Sequence, residues 1–470
     1  MGKYKELLGN VGVLTISNFG SKLLAFFLIP LYTSVLSAAD YGNFDIINTT
    51  IILLFPILTT NITEGAIRFL LDRNADKDTI IKKSFVFINI SILVVGIILG
   101  INKVFHFIPL FEDYALFFFL HYITSTYYLA AQNISRGLDK LKNIGIAGVI
   151  NSVLALGLNI VFLLALKFGL SGYFLAYIIA NGLTALFLLW KSKLFAYTFS
   201  INPKNLPDDK GLTKYSRPLM INSLSWWIND ASDRYFVTWI CGAAANGIYS
   251  VAYKIPSILT VVQGIFNQAW LISVTKEYKH NNNRDFVKKV YRLYNSMMVI
   301  LCSIIILLNK MIAGILYKGD FYDAWIFVPL LLVSVVFSSA SGAIGTIFGA
   351  EKDSKALSYT TALGAIINIV LNFILISIYG VIGAAIATAA ASFTVWLIRI
   401  VYCRRYIKIP VAFNDILSYL FLVVQTCLFA VADGLTLYAI EGVIVLLIFI
   451  LNLGIIRELL AKIFQKGFKR

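Results

Sequence analysis

The sequence has few charged residues. Lys, Arg, Asp and Glu make up 14% of its 470 residues, whereas a soluble domain carries about 25%. Hydrophobic residues make up 59%, and the mean hydropathy is +0.81. Runs of about eighteen or more apolar residues, which are typical of transmembrane helices, recur from end to end. We therefore expect an all-α polytopic membrane protein rather than a soluble domain.

Cysteine and histidine are scarce as well. The four cysteines and three histidines lie singly along the chain: Cys241, Cys302, Cys403, Cys427, His106, His121 and His280. They form no CxxC pair and no Cys/His ligand spacing, so we expect neither disulfides nor a metal site. The chain also lacks a GxxxxGK[ST] motif and the Ser/His/Asp or Cys/His arrangements of nucleophilic catalysis. We therefore expect no cofactor and no enzymatic activity.

Long apolar runs divide the chain into about fourteen predicted transmembrane segments. They lie near residues 9–35, 43–69, 83–104, 110–136, 143–167, 170–191, 215–240, 246–275, 290–314, 323–350, 356–379, 381–403, 412–432 and 437–460. Residues 1–191 are predicted to form an N-terminal six-helix lobe, 192–213 a polar cytoplasmic linker and 214–405 a C-terminal six-helix lobe. Residues 411–463 add two extra C-terminal helices.

The two predicted lobes share sequence features. A GxxGxxxAxxxA pattern begins at Gly169 and again at Gly380, and a Leu-Asn pair precedes each, ending at Asn159 and Asn372. The first hairpins also match, and the agreement in order favours two parallel six-helix repeats related by an axis along the membrane normal. The alternative is that small residues recur wherever helices pack closely.

Basic residues concentrate in every second predicted loop. The net charge is +16, which in a soluble protein would indicate nucleic-acid binding. The opposite loops hold four of the 40 basic residues: Lys103, Lys167, Lys310 and Lys318. By the positive-inside rule both termini are cytoplasmic. We expect a multi-pass membrane protein with no nucleic-acid partner.

Charged residues inside predicted segments 7 and 8 mark a candidate site. Asp230, Asp233 and Arg234 lie close together in segment 7, and Tyr253 and Lys254 lie in segment 8. A charge at bilayer depth costs about 2.5–3.5 kcal/mol and usually faces a bundle interior or a wet cavity. Two alternatives stay open. In the first alternative, Asp230 and Arg234 form a buried pair whose role is to fix helix packing. In the second, Lys254 snorkels to the outer interface.

Predicted segments 1 and 2 contribute a second set of polar residues. Asn18 and Lys22 share a face of segment 1, with Lys22 near mid-membrane. Asp45 lies near the outer end of segment 2, and Glu64 and Arg68 lie one turn apart near its inner end. The alternative for the last two is an i,i+4 ion pair at the cytoplasmic interface.

Together the two sets predict a substrate cavity. Its cations suit phosphate, its amides and aromatic faces suit sugar rings, and a buried carboxylate can bind H⁺ or Na⁺. The predicted substrate-binding residues are Lys22, Arg68, Arg234, Lys254, Asn18 and Tyr253. The predicted ion-coupling residues are Glu64, Asp233, Asp230 and Asp45.

Several short motifs carry a family resemblance that covers essentially the whole chain. They are Asn18-Phe19-Gly20-Ser21-Lys22, Ile29-Pro30-Leu31-Tyr32, Tyr41-Gly42, Thr63-Glu64-Gly65-Ala66, Asp233-Arg234-Tyr235 and Gly247-Ile248-Tyr249-Ser250-Val251-Ala252-Tyr253-Lys254-Ile255. With these motifs the chain resembles the Wzx-type oligosaccharide flippases of the MOP superfamily, which also contains the lipid II flippases and the MATE drug exporters.

The resemblance implies two six-helix lobes around a cavity that opens to alternate sides of the membrane. It implies that the substrate is an undecaprenyl-pyrophosphate-linked oligosaccharide for capsule or O-antigen-type polysaccharide, with H⁺ or Na⁺ as coupling ion. It assigns roles in binding or coupling to Lys22, Glu64, Asp233, Arg234 and Lys254 only. The expected partners are membrane lipids, a polymerase and a chain-length regulator.

Three other functions fit the sequence less well. A MATE-like multidrug/cation antiporter shares the expected fold, but several cations in the cavity disfavour cationic drugs. A polysaccharide polymerase or glycosyltransferase needs a sizeable outside loop, and every predicted outside loop is short. A scaffold does not explain charges at mid-membrane depth.

Overall fold

The computed structural model describes residues 26–72, 75–199, 211–274, 284–351, 353–431 and 434–467. These residues form helices and turns, without a strand among them. The α-helices are α1 Ile29–Val35, α2 Ala38–Leu58, α3 Ile62–Leu70, α4 Lys77–Phe105, α5 Pro109–Asp113, α6 Ala115–Gly137, α7 Leu141–Asn159, α8 Gly169–Lys191, α9 Leu212–Cys241, α10 Ala243–Ala252, α11 Pro256–Val274, α12 Arg284–Leu307, α13 Asn309–Leu316, α14 Val328–Ala350, α15 Ser354–Tyr379, α16 Val381–Cys403, α17 Phe413–Val431 and α18 Gly434–Gly467.

The described helices confirm the all-α polytopic membrane fold. Within these ranges nine helices are long and apolar enough to cross a membrane, and α10 with α11 makes a tenth if the bent pair counts as one span. Helix α9 is not in that set, and it carries charged residues both near its N-terminal end and near its centre. The count of about fourteen spans stays a prediction.

Several helices begin at side-chain caps that the sequence supplies. Ser37 and Asp40 form a capping box at the start of α2. Asp76 accepts a backbone N–H hydrogen bond at the start of α4, and Asp353 does so at the start of α15. Each cap satisfies an N–H group that the first helical turn leaves without an intrahelical partner.

The predicted segments at 43–69 and 246–275 each contain a break between two helices. In the first, Thr60 and Asn61 have positive φ values of 50° and 52°, which end α2 and start α3. In the second, α10 and α11 meet at 48°. Pro256 opens α11 there, and proline disfavours helical conformation in the residue before it.

By residue contacts the chain divides into two compact units, Met1–Trp227 and Ile228–Arg470. The predicted linker at 192–213 includes residues 200–210, which lie outside the described ranges. The predicted lobe boundaries therefore stay a prediction.

The first unit has a core built on α6, which packs against α3, α4 and α8. Phe85, Ala130, Ile134 and Leu188 are buried in that core. An aromatic cluster fills a second region: the rings of Tyr32 and Tyr41 stack with centroids 4.8 Å apart. The motifs that contain Tyr32 and Tyr41 therefore contact each other through stacked rings.

The second unit is organised around α16, which packs against α14 and α15. Buried alanines at 340, 343, 384 and 387 line the contact of α14 with α16. Small side chains let the two helix backbones approach closely, which is how helices pack in the absence of a hydrophobic driving force between them. Helices α17 and α18 pack on α12 at another face of this unit.

The two GxxG turns have equivalent local roles in the two units. Gly169 and Gly380, which lie at the starts of α8 and α16, have φ values of +55° and +65°. A Cβ on Gly172 would lie 3.2 Å from the Phe162 carbonyl oxygen, and a Cβ on Gly383 would lie 2.1 Å from that of Leu375. In each turn the first glycine adopts a left-handed backbone conformation, and the second allows a close contact with the backbone of the preceding segment.

Candidate functional site

Asp233 is the centre of a polar cluster inside the second unit. Its side chain is 2% exposed and lies on α9. The hydroxyls of Tyr249 and Tyr253 donate to the same oxygen, Oδ2, at 2.7 and 2.6 Å. The Arg234 backbone N–H donates to Oδ1 at 2.9 Å, and Thr388 Oγ1 lies 3.5 Å from Oδ2. A carboxyl group is thus held by α9, α10 and α16 in a region otherwise rich in apolar side chains.

The break between α10 and α11 sets the position of the tyrosines. Tyr249 and Tyr253 lie one turn apart, so both hydroxyls reach the same face, with the two oxygens 3.2 Å apart. Tyr253 and Lys254 belong to the short break before Pro256. The guanidinium carbon of Arg234 lies 5.4 Å from the centroid of the Tyr253 ring, a cation–π distance. The break therefore brings Asp233, Arg234 and Tyr253 together.

Polar contacts fix α9 against α15 next to this cluster. Asn229 Nδ2 donates to the Thr361 carbonyl at 3.4 Å. Ser232 Oγ donates to Asn368 Oδ1 at 3.3 Å. These contacts hold the helix turn that carries Asp233 in one orientation toward α10.

A buried arginine joins three helices of the same unit. Arg399, on α16, is 4% exposed. Its guanidinium donates to the hydroxyls of Thr360 and Thr361 at 3.0 and 2.9 Å and to the Ser341 carbonyl at 3.0 Å. The sequence analysis gave no role to Arg399, which lies within the predicted segment 381–403, and so missed this clamp. The same reasoning gave no role to Thr388, which only the fold brings to Asp233.

The first unit holds a separate group of charged residues at the start of α9. The guanidinium carbon of Arg68 lies 5.3 Å from the Tyr215 ring centroid, and both side chains line a surface cavity with Lys214. Glu64 Oε2 accepts a 2.7 Å hydrogen bond from Asn61. In the described contacts, Glu64 and Arg68 thus bind different partners, whereas the alternative interpretation paired them with each other.

The other predicted site residues fall in different environments. Asp45 is 7% exposed on α2. Asp230 is exposed on α9, although it lies less than one turn from the buried Asp233. Lys254 is partly buried at the helix break. Asn18 and Lys22 lie outside the described residues, so their predicted roles stay predictions.

The Asp233 cluster has the chemistry of an ion or proton site. A carboxyl group with hydroxyl partners in an apolar setting can exchange a proton or hold a monovalent cation with hydroxyl and carbonyl oxygens. The neighbouring guanidinium and Lys254 can attract an anionic group. Broken membrane helices are a recurring place for such sites in transporters, because the break frees backbone groups near mid-membrane.

Solved structures with the same fold define the class of protein. The lipid II flippase MurJ in an inward closed conformation aligns with a TM-score of 0.71 and 15% identity, over 97% of this chain and 99% of that one. An inward-facing multidrug resistance MATE family transporter of the MOP superfamily aligns with a TM-score of 0.65 and 15% identity, over 84% and 97%. The chain therefore has the fold of the MOP superfamily of membrane transport proteins.

Sequence comparison identifies the family. The model of the family described as "Polysaccharide biosynthesis protein" matches residues 7–272, more than half of the chain, and the MatE model matches residues 218–374. The chain belongs to the polysaccharide biosynthesis protein family, and the predicted kinship with the polysaccharide flippases of the MOP superfamily is confirmed.

Two curated relatives also match parts of the chain. The uncharacterized membrane protein MJ1375 of Methanocaldococcus jannaschii is 25% identical over 61% of this chain and 70% of its own length. The probable low-salt glycan biosynthesis flippase Agl15 of Haloferax volcanii is 20% identical over 53% of this chain and 52% of its own length. The match to Agl15 thus spans about half of that protein.

Proposed function

We propose that this protein is a flippase that moves a lipid-linked oligosaccharide from the cytoplasmic to the outer leaflet of the cell membrane. The observation that carries the proposal is the Asp233 cluster. A buried carboxyl group, a guanidinium and a lysine meet at the break of a membrane helix. Membership of the polysaccharide biosynthesis protein family and similarity to a probable glycan biosynthesis flippase support it.

The substrate headgroup is proposed to be an undecaprenyl-linked pyrophosphate that carries the sugar repeat. Arg234, Lys254 and Lys22 bind the pyrophosphate, since two or three cations are the usual partners of such a dianion. Arg68, Asn18 and Tyr253 contact the headgroup as it enters, and the polyprenyl tail stays in lipid. The product serves capsule or O-antigen-type polysaccharide, with a polymerase and a chain-length regulator as partners.

Transport is proposed to be coupled to H⁺ or Na⁺. Asp233 binds the ion, since its Oδ2 already faces two hydroxyl groups that can reorient from donor to acceptor. Glu64, Asp45 and Asp230 are the further coupling candidates. Two predicted lobes then alternate between cytoplasmic and outward access, in a bacterial inner membrane with both termini cytoplasmic.

Export in cells tests this assignment. A strain that lacks its own repeat-unit flippase is complemented with wild type, Arg234→Ala or Lys22→Ala, at matched protein levels. The proposal expects both variants to lose surface polysaccharide, while Lys103→Ala, which removes an exposed cation at the end of α4, retains it. Full export by both site variants would show that these cations do not bind the substrate.

A second candidate function is MATE-like export of cationic drugs. The match of the MatE model to residues 218–374, which include Asp233 and the broken helix, favours it. Arg234 and Lys254 disfavour a cationic substrate by charge repulsion. Drug resistance conferred on a sensitive strain, together with no rescue of polysaccharide export, would favour the antiporter.

A further inference from the structure

A glutamate on the last helix is fully buried among apolar side chains. Glu441 lies on α18 and is 0% exposed. It belongs to an inward-facing stripe of that helix with Leu437, Ile444 and Ile448, all at most 6% exposed. The residues between them, such as Val443, which is 56% exposed, face outward. Glu441 therefore points away from lipid and into the packed interface of α18.

The partner of Glu441 is a glutamine on the antiparallel neighbour α17. Gln425 is also 0% exposed, and its Nε2 donates to Glu441 Oε2 at 2.6 Å. Further along the same interface, Asn452 Nδ2 donates to Ser418 Oγ at 3.1 Å. The two contacts have the register of an antiparallel helix pair, so Gln425 and Glu441 face each other as part of regular packing.

One oxygen on each side of this pair lacks a hydrogen bond. Within the described part of the chain, Glu441 Oε1 and Gln425 Oε1 are both buried and have no partner. Two acceptors cannot satisfy each other. A proton on Glu441 Oε1 would supply a donor of the kind that the Gln425 carbonyl oxygen lacks.

The opposite orientation of the Gln425 amide leads to the same requirement. It would place the amide oxygen 2.6 Å from Glu441 Oε2, a contact between two acceptors that also needs a proton. Either orientation of the amide is therefore satisfied by a carboxylic acid and not by a carboxylate.

Among the described residues, no charged side chain on a neighbouring helix forms an ion pair with Glu441. On α17, Asp415 lies ten residues from Gln425, about 15 Å along the helix. On α12, Arg292 Nε lies 4.0 Å from Asp415, so Arg292 is close to the end of α17 that is distant from Gln425. Lys288 and Lys289 lie about one turn from Arg292 on α12, at that same distant end. On α13, Lys310 lies over the rings of Trp325 and Phe429 at 4.4 and 5.7 Å. Asp433 lies outside the described residues.

We propose that Glu441 is a proton-binding site within the membrane, where the protonated carboxyl group and the Gln425 amide form a cyclic pair that joins α17 to α18. Among the described residues, an ionised carboxylate at this position would be buried without a cation, which is strongly unfavourable in an apolar medium. The site is distinct from the Asp233 cluster, and it does not depend on the proposed substrate.

Infrared spectroscopy of the purified full-length protein in lipid tests the proposal. The spectrum of Glu441→Gln is subtracted from that of wild type. We expect the difference to show the loss of a protonated-carboxyl C=O band, because glutamine can replace the acid in a cyclic amide pair and keep the fold. The loss of carboxylate bands instead would overturn the proposal. Asp415→Asn is the matched control, since this carboxyl faces Arg292, and we expect it to lose carboxylate bands.

A second variant keeps the test decisive if Glu441→Gln does not fold. Gln425→Leu removes the amide partner and leaves the glutamate in place. If Glu441 is protonated, its C=O band shifts to higher frequency, because a carboxylic acid that loses a hydrogen-bond partner has a stiffer carbonyl. An unchanged C=O region in Gln425→Leu would overturn the proposal.

Discussion

Tyr253 donates a 2.6 Å hydrogen bond to Asp233 from the short break between α10 and α11. The same carboxyl oxygen accepts a second hydroxyl, from Tyr249 in the helix before the break. A buried carboxyl group on one helix therefore accepts hydrogen bonds from one residue before a joint in another helix and from one residue within that joint. The proposed binding of an ion at Asp233 would change these hydrogen bonds and with them the angle of the joint, as proposed coupled transport requires.

Removal of either tyrosine hydroxyl is expected to destabilise the second unit, and removal of both is expected to destabilise it by more than the sum of the two single effects. A hydrogen bond to a charged group contributes about 1.5–3 kcal/mol and one to a neutral group about 1 kcal/mol. Tyr249 and Tyr253 serve the same oxygen, so the hydroxyl that remains compensates in part. Unfolding of the single and double Tyr→Phe variants in detergent gives the coupling energy. Tyr359→Phe, at a residue 69% exposed, is the control.

Full additivity of Tyr249→Phe and Tyr253→Phe would contradict the shared-acceptor geometry. Two independent effects would mean that the hydroxyls bind different groups in the folded protein.

The helix break is expected to be needed for transport more than for folding. Pro256 lacks an N–H and disfavours helical conformation in the residue before it, and α10 and α11 meet at 48°. Pro256→Ala permits a continuous helix, which moves Tyr253 away from Asp233. We expect transport to fall at least about tenfold while the unfolding temperature holds, since a contact worth about 1.4 kcal/mol changes an equilibrium tenfold.

A matched control for this variant is Pro329→Ala, which alters a proline near the start of α14 that bends no pair of helices. Equal transport by Pro256→Ala and wild type would show that the break is not a working joint.

The glycine at the start of α16 is expected to tolerate no side chain. A Cβ at Gly383 would lie 2.1 Å from the Leu375 carbonyl oxygen, and at Gly172 it would lie 2.9 Å from Phe168 Cβ. Overpacking of this kind costs about 1–3 kcal/mol or more. Gly349→Ala meets nothing within 4 Å, and alanine in a helix is favoured over glycine by about 0.5–1 kcal/mol. Thermal unfolding is expected to rank Gly383→Ala below Gly172→Ala, with Gly349→Ala above both. A different order would contradict the close helix contact at the GxxG turns.

An acid-sensitive contact is expected in the loop between α14 and α15, outside the membrane. Hydrogen bonds from the Tyr406 hydroxyl at 2.7 Å and the Ala356 N–H at 3.0 Å hold the pKa of Asp353 below its ordinary value of 3.8. A lowered pKa in the folded state means that stabilisation is complete above pH 3.8 and is lost as the pH falls through the lower folded value.

Asp353→Asn and Tyr406→Phe are both expected to unfold at lower temperature than wild type at neutral pH, and this difference is expected to shrink below pH 3.8. Asp285→Asn is the control, because that carboxylate is 82% exposed. A difference between Asp353→Asn and wild type that stays constant with pH would exclude an ionised Asp353 as its origin.

Apolar runs were enough to predict the all-α membrane fold, because the length and hydropathy of a span are local properties of the chain. Asp233 and Arg234 were also singled out from sequence, since charges inside an apolar run are conspicuous. The structure places both beside Tyr253, and their functional roles stay predictions. The break at Pro256 was not predicted, because a proline in a membrane helix is often tolerated without a break.

Other residues escaped notice because their significance depends on tertiary contacts. Thr388 looks like any hydroxyl in a helix until α16 packs beside Asp233. Arg399 lies near a predicted cytoplasmic end, and only the packing of three helices buries it. Glu441 was detectable in principle as a lone acid in an apolar run, but its partner Gln425 lies on another helix.

The most direct test of the central claim is translocation by the purified protein in vesicles. The probe is a fluorescent polyprenyl-pyrophosphate-linked sugar, and its inner-leaflet fraction is read with a membrane-impermeant quencher. The account predicts rapid transfer by wild type and by Lys103→Ala, and loss of transfer in Arg234→Ala and in Asp233→Asn, with all four proteins equally folded. Transfer at the wild-type rate by both Arg234→Ala and Asp233→Asn, or no transfer by wild type under an H⁺ or Na⁺ gradient, would contradict it.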